Sequence, residues 1–170
     1  MIEWPVREMI AGGTRWFNQC IKAIYMLTRF AFSIFSDDVR HEVGNKSSIM
    51  GIYGPNIIFS KFPAILDKLC ITTTVHCDVG SPVLSLKIEV GFQYSTLQEF
   101  VAPRDFLDRT HNLFAISRAQ TGKGTQCYYN IQSFIAPFNI VGPGQLTVKA
   151  VLDDLEYEAG QINILLETKG

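Results

Sequence analysis

Charge is scarce in this chain and evenly divided. Among 170 residues, 15 Lys and Arg stand against 16 Asp and Glu, for a formal net charge of −1. No segment concentrates Lys and Arg, so the electrostatic footprint of a nucleic-acid binder is missing and no nucleic-acid partner is expected. No uninterrupted apolar run reaches the roughly twenty residues of a spanning helix, so no transmembrane segment is expected. The four cysteines, Cys20, Cys70, Cys77 and Cys127, show no metal-ligand spacing, and no metal or other cofactor is expected. The catalytic signatures G-x-S-x-G and H-E-x-x-H and the dinucleotide fingerprint are all missing. What remains is 47% hydrophobic and 18% charged, which is the composition of a folded domain large enough to bury a core without staples.

Residues 1–27 differ in character from the rest. Trp16, Phe17, Cys20, Ile21, Ile24 and Leu27 recur at steps of three and four, while Arg15, Asn18, Gln19 and Lys22 fall largely on the other side. That period predicts an amphipathic helix of three to four turns, with Thr14 as its N-cap. Glu3 and Glu8 stand where a signal peptide carries basic residues, and no small-residue cleavage site follows. A cytoplasmic chain with reduced thiols is therefore expected. The six apolar residues form a candidate interface. They suit a helix lying on a sheet or one pairing with a second copy, and a homodimer is expected; a helix lying on a membrane surface is the alternative.

From Arg29 onward the period is two. T-R-F-A-F-S-I-F-S-D-D-V-R-H-E-V-G-N-K-S-S-I-M-G-I-Y, residues 28–53, reads as a buried β-hairpin with its tip at Gly44-Asn45-Lys46. The pattern predicts further strands at 57–59, 69–77, 83–92, 97–101, 126–135, 146–152 and 155–166. Residues 62–69 read as a loop or single helical turn. Residues 104–117 read as a short helix with Phe106, Leu107 and Leu113 inward. Asp153-Asp154 marks a hairpin turn and Gly160 a bulge. Seven or more short strands with regular turns predict a mainly β fold, an immunoglobulin-like antiparallel β-sandwich over residues 28–170, with the helix of residues 1–27 as an appendage.

Four constellations carry possible chemistry. Asp37, Asp38, His41 and Glu42 are the densest polar group, but neighbours on a strand splay apart, which suits a charged hairpin end better than a metal or catalytic site. Thr121-Gly122-Lys123-Gly124 lacks the first Gly and the final Ser or Thr of a phosphate loop. His76 and Cys77 are adjacent on a strand and point to opposite faces, so the imidazole is badly placed to activate that thiol. Tyr128, Tyr129, Phe134 and Phe138 form an aromatic group that serves either the core or a binding wall. No catalytic residue is assigned, and a non-enzymatic domain is expected.

The run F-S-I-F-S-D-D-V-R-H-E-V-G-N-K-S-S-I-M-G-I-Y-G (32–54), the F-P-A-I-L-D-K-L that follows (62–69) and the closing hairpin (144–153) resemble a family of small uncharacterised bacterial and phage β-sandwich proteins. The resemblance covers roughly residues 28–168. It implies a structural or interaction role in a bacterium, phage or mobile element and assigns no catalytic residue. The expected function is a protein-interaction domain that assembles with itself or with another protein, through its helix or a sheet face. The alternative is a small-molecule or carbohydrate-binding sandwich with a pocket walled by Tyr128, Tyr129, Phe134 and Phe138.

Overall fold

The computed structural model describes residues 29–44, 46–124 and 126–168. The expected helix over residues 1–27, with Trp16, Phe17, Cys20, Ile21, Ile24 and Leu27, lies outside the described residues. Those described are mainly β: β1 (Phe30–Glu42), β2 (Lys46–Ile52), β3 (Asn56–Phe59), β4 (Ala64–Leu66), β5 (Leu69–Asp78), β6 (Leu86–Phe92), β7 (Ser95–Val101), α1 (Arg104–Thr121), β8 (Gln126–Ile135), β9 (Phe138–Ile140), β10 (Gly144–Leu152) and β11 (Leu155–Leu166).

The strands form a four-stranded sheet in the order β2-β1-β5-β8, a five-stranded sheet in the order β3-β11-β10-β6-β7, and the short pair β4-β9. The alternation read from the sequence explains how the two larger sheets meet. Leu69, Ile71, Val75, Cys77, Cys127, Tyr129 and Ile131 of the four-stranded sheet share one buried cluster with Leu86, Ile88, Val90, Leu146, Val148, Ala150, Leu152, Ile162 and Ile164 of the five-stranded sheet. Removing so many aliphatic side chains from water is the main stabilising term, about 1.5–3 kcal/mol for each one fully buried. At Gly160 the two sheets approach closely. A Cβ there would lie 3.2 Å from Cβ of Ser33 and 3.5 Å from the Phe35 ring. The bulge expected near Gly160 is present, since Val148 faces Gly160 while Lys149 faces Glu158.

The Asp153-Asp154 turn forms with both residues at positive φ, 47° and 68°, as a two-residue hairpin turn requires. Asp153 also ties three regions together. One carboxylate oxygen accepts from the N–H groups of Leu84 and Ser85, both at 2.8 Å. The other pairs with Arg29 at 2.8 Å. Arg29, only 4% exposed, also donates to the carbonyls of Ser81 and Pro82, both at 3.2 Å. The start of β1 is thus pinned to the β10–β11 turn and to the loop before β6.

Several expectations need correction. The body is not wholly antiparallel, because β3 pairs with β11 in parallel after the chain crosses from one sheet to the other. Residues 62–69 are not a loop or helical turn but hold β4, whose Ala64–Leu66 backbone finds partners on β9. Strand β6 begins at Leu86, and Leu84 is exposed. The helix runs four residues further than expected, to Thr121, and ends where Gly122 at φ 64° donates its N–H to the Arg118 carbonyl. Phe106 and Leu107 lie inward as expected, but Leu113 points to solvent and Phe114 turns inward in its place. Strands β1 and β2 pair as the expected hairpin, whose tip residue Asn45 lies outside the described residues, but the hairpin is not buried. Strand β2 is an edge, and the Phe30–Phe32 side of β1 faces outward.

Candidate interaction surface

The outer face of the four-stranded sheet is laid out by strand register. Phe30 lies opposite His76, which lies opposite Tyr128 on the next strand; Phe32, Thr74 and Asn130 form the second row, and Ile34, Thr72 and Gln132 the third. Because side chains alternate along each strand, these even-numbered residues share the outer face while Cys77, Tyr129 and Ile131 turn to the core.

The first row is a stack of rings. Phe30 and His76 lie almost parallel with centroids 4.4 Å apart. Phe32 and Tyr128 each approach the same imidazole at 5.9 Å. Phe114 of α1 meets Tyr128 edge-on at 4.7 Å and closes the end of the row. On the other side of β8, Phe106 of α1 reaches the buried Tyr129 at 6.2 Å, so the helix lies along that sheet edge and touches both faces. Burial against its neighbours holds His76 below the usual imidazole range, so the ring is neutral near pH 7.

Beside this row lies a groove of about 570 Å³, lined by Phe32, Ile34 and Ile49 on the apolar side and by Thr72, Thr74, Asn130 and Gln132 on the polar side, with His41 and Ser47 at the hairpin end. The Thr74 hydroxyl donates to the Asn130 amide oxygen at 2.8 Å, which orients the floor. Phe30 and Phe32 are 50% and 41% exposed, and Tyr128 and Phe134 are each 46% exposed. Scattered apolar residues on a surface are ordinary, but a contiguous aromatic and aliphatic band beside a groove is characteristic of an interaction site.

The binding wall expected from Tyr128, Tyr129, Phe134 and Phe138 does not form. Tyr128 and Phe134 face outward on β8, while Tyr129 at 0% and Phe138 at 2% exposure are core residues. Adjacency in sequence hid the alternation that separates them. Phe30 and Phe32 belong to the outer face and were missed, because an apolar strand with two apolar sides reads as doubly buried; His76, weighed only as a partner for Cys77, stands beside them on β5.

The acidic hairpin cluster does not converge. Asp37 accepts from the Tyr53 hydroxyl and Asp38 from Lys68. His41 meets Ser47 at 3.3 Å, and Glu42 accepts from Ser48. The Lys68 ammonium holds Asp38 below the usual carboxylate range, while burial and Asp37 push the Tyr53 phenol up to about 12. Among the described residues, no group of three His, Cys, Asp or Glu is arranged to hold a metal ion. Cys77 and Cys127 sit opposite each other in register and buried, and their mutual hydrogen bond and burial push the Cys77 thiol far above its usual range. No helix among the described residues is long and apolar enough to cross a membrane.

No family model and no curated protein matches this sequence. Among solved structures, the chain is similar to the Pseudomonas fluorescens alkylpurine DNA glycosylase AlkC bound to DNA containing an abasic site analog. The match covers 81% of this chain and 30% of that one, at 8% identity and a TM-score of 0.37. The chain therefore spans less than a third of the solved protein's length. The expectation that this chain is not an enzyme finds no support in this comparison, whose matched protein is named a DNA glycosylase. At that identity and TM-score the likeness carries no argument that this chain shares the activity.

Proposed function

We propose that this chain is a protein-interaction domain that self-associates through the outer face of its four-stranded sheet. The observation that carries this reading is the exposed ring stack of Phe30, Phe32, His76 and Tyr128 beside the groove. Aromatic side chains with a polar edge are the residues from which association energy is most often built, since they bury large areas at little cost in rotamer freedom. The hydroxyl and amide groups of Thr72, Thr74, Asn130 and Gln132 add directional contacts that set orientation. We further read the body as an immunoglobulin-like sandwich, supported by the core that its two larger sheets share. Free, buried Cys70, Cys77 and Cys127 suit a cytoplasmic location.

The test is sedimentation velocity on the full chain from about 1 to 100 μM, a range that brackets a micromolar dissociation constant. The expected species is a dimer. Phe32→Glu and Tyr128→Glu, both at half-exposed sites, are expected to shift it to monomer with the β circular-dichroism spectrum unchanged. A native chain that stays monomeric throughout this range refutes self-association.

A second reading, a small-molecule or carbohydrate site, is favoured by one observation. The groove volume falls within the usual span for ligand pockets, and its floor carries four hydrogen-bonding side chains beside Phe32. Thermal-shift screening of mono- and disaccharides, with Asn130→Ala as the control, separates this reading from the first.

A further inference from the structure

We infer that Cys77 and Cys127 form an oxidative modification site, which a peroxide closes into a reversible disulfide joining β5 to β8. The site lies in the core and does not depend on the self-association reading above.

Register brings the two thiols together. Cys77 lies directly opposite Cys127 on neighbouring antiparallel strands, and both are 0% exposed within the shared core cluster. Opposed residues of such strands share a face, with Cβ atoms about 4.5–5.5 Å apart. A disulfide needs Cβ atoms about 3.5–4.5 Å apart and Cα atoms about 4.4–6.8 Å apart, so an approach of about 1 Å closes the bond with no change of register. Cys70 does not compete for either sulfur. It stands an odd number of positions from Cys77 on β5 and so on the other face, where its thiol donates to the Asp37 carbonyl at 3.3 Å.

Position in the sheet supplies the access that burial denies. Only the Asp78–Gln126 rung lies between the pair and the end of the β5–β8 ladder. Gln126 is exposed, as are Gly122 and Gly124 before it, both at positive φ. Opening that rung lifts Cys127 toward solvent, and fraying at a strand end costs far less than global unfolding. Cys127 is also the thiol poised to react. Its hydrogen bond with Cys77 holds it below the usual thiol range, with the Tyr129 hydroxyl assisting, while the same bond and burial push Cys77 up. The Cys127 thiolate attacks one oxygen of hydrogen peroxide. The O–O bond breaks, a sulfenic acid forms, and the departing hydroxide takes up the proton that Cys127 released. The Cys77 sulfur then attacks the Cys127 sulfur. The S–S bond forms, the S–O bond breaks, and the Cys77 proton leaves with that hydroxide as water. Both thiols are oxidised, and the peroxide is reduced to water.

The loop that this bond closes holds β6, β7 and α1, so the bond restrains the unfolded chain and raises the melting midpoint. The test treats the reduced full chain with a slight excess of hydrogen peroxide, alkylates the remaining thiols in urea, and maps the peptides by mass spectrometry without reduction. The expected product is a peptide pair joined through Cys77 and Cys127, in a chain that melts at least about 5 °C higher than the reduced one. Dithiothreitol is expected to restore both thiols and the original midpoint. In Cys77→Ala the reaction is expected to stop at the Cys127 sulfenic acid, trapped by dimedone; the native-chain map decides the matter whether or not that variant folds. Native Cys77 and Cys127 that both remain alkylated, at a peroxide dose that oxidises them in the urea-unfolded chain, overturn the site. A bond from either to Cys20 or Cys70 does the same, as does a joined pair that dithiothreitol does not release. A joined chain that melts below the reduced one overturns the fit of the bond to this register.

Discussion

Asp153→Ala is expected to be the most damaging single polar substitution in this fold, and its cost follows from the contacts. The native carboxylate faces Arg29 at 2.8 Å and accepts two backbone N–H groups, from Leu84 and Ser85, at 2.8 Å each. Removing it takes the Asp153 carboxylate away from a guanidinium that is 4% exposed. Breaking a buried pair by deleting one member costs about 3–5 kcal/mol. The retained bonds from Arg29 to the Ser81 and Pro82 carbonyls place the cost at the lower end, and water reaches the two freed N–H groups, so their loss adds little. The expected destabilisation is therefore about 3 kcal/mol. With a urea m-value of about 2 kcal/mol/M, the unfolding midpoint falls by roughly 1.5 M. A thermal melt falls by about 6–12 °C for a chain of this size. Two further variants isolate the cause. Asp153→Asn keeps a side chain that tolerates positive φ and an oxygen for the N–H groups, and removes only the charge. Arg29→Met combined with Asp153→Ala replaces the pair by apolar and small groups, and recovers much of the loss if the buried charge is the source. A loss below about 1 kcal/mol for Asp153→Ala, or a double variant as unstable as the sum of its parts, refutes the reasoning.

Two other outcomes follow from particular contacts. Leu107, 1% exposed, anchors α1 to the core beside Phe106 and Tyr129, so Leu107→Ala is expected to cost about 3 kcal/mol by urea unfolding; a change under about 1 kcal/mol means the helix does not depend on it. His76 is held neutral by burial, so the unfolded chain takes up its proton more readily than the folded one. Stability that His76 contributes is present above about pH 6.5, the unfolded value, and is lost as pH falls through the window below it. Urea midpoints at about pH 7.5 and pH 5.5, where most carboxylates stay ionised, should differ in the native chain and converge in His76→Phe; an unchanged pH dependence in the variant rules His76 out as the source.

Much of the fold was legible along the chain because alternation is local. The strand of residues 126–135, the Asp153-Asp154 turn and the Gly160 bulge each follow from short stretches whose period or turn chemistry admits one backbone. The terminal hairpin over Leu146–Leu166 was legible for the same reason. The Ala64–Leu66 strand was not, since three residues carry no period and their partner on β9 lies more than seventy positions away. The parallel pairing of β3 with β11 is a property of the chain path between sheets, which leaves no local mark.

The candidate surface divides along the same line. Alternation alone separates Tyr128 from Tyr129 and places Phe30, Phe32 and Ile34 on one side of β1. It does not say which side of a doubly apolar strand meets the other sheet. That was decided by the close approach of Gly160 to Ser33 and Phe35 and by the Arg29–Asp153 pair, contacts between residues more than a hundred positions apart. Period and turn chemistry act between neighbours, so the sequence by itself determined the strands and their two faces. Burial is a property of what a face is pressed against, so only the tertiary structure decided that Tyr129 and Phe138 lie in the core and that the ring stack of Phe30, His76 and Tyr128 faces outward.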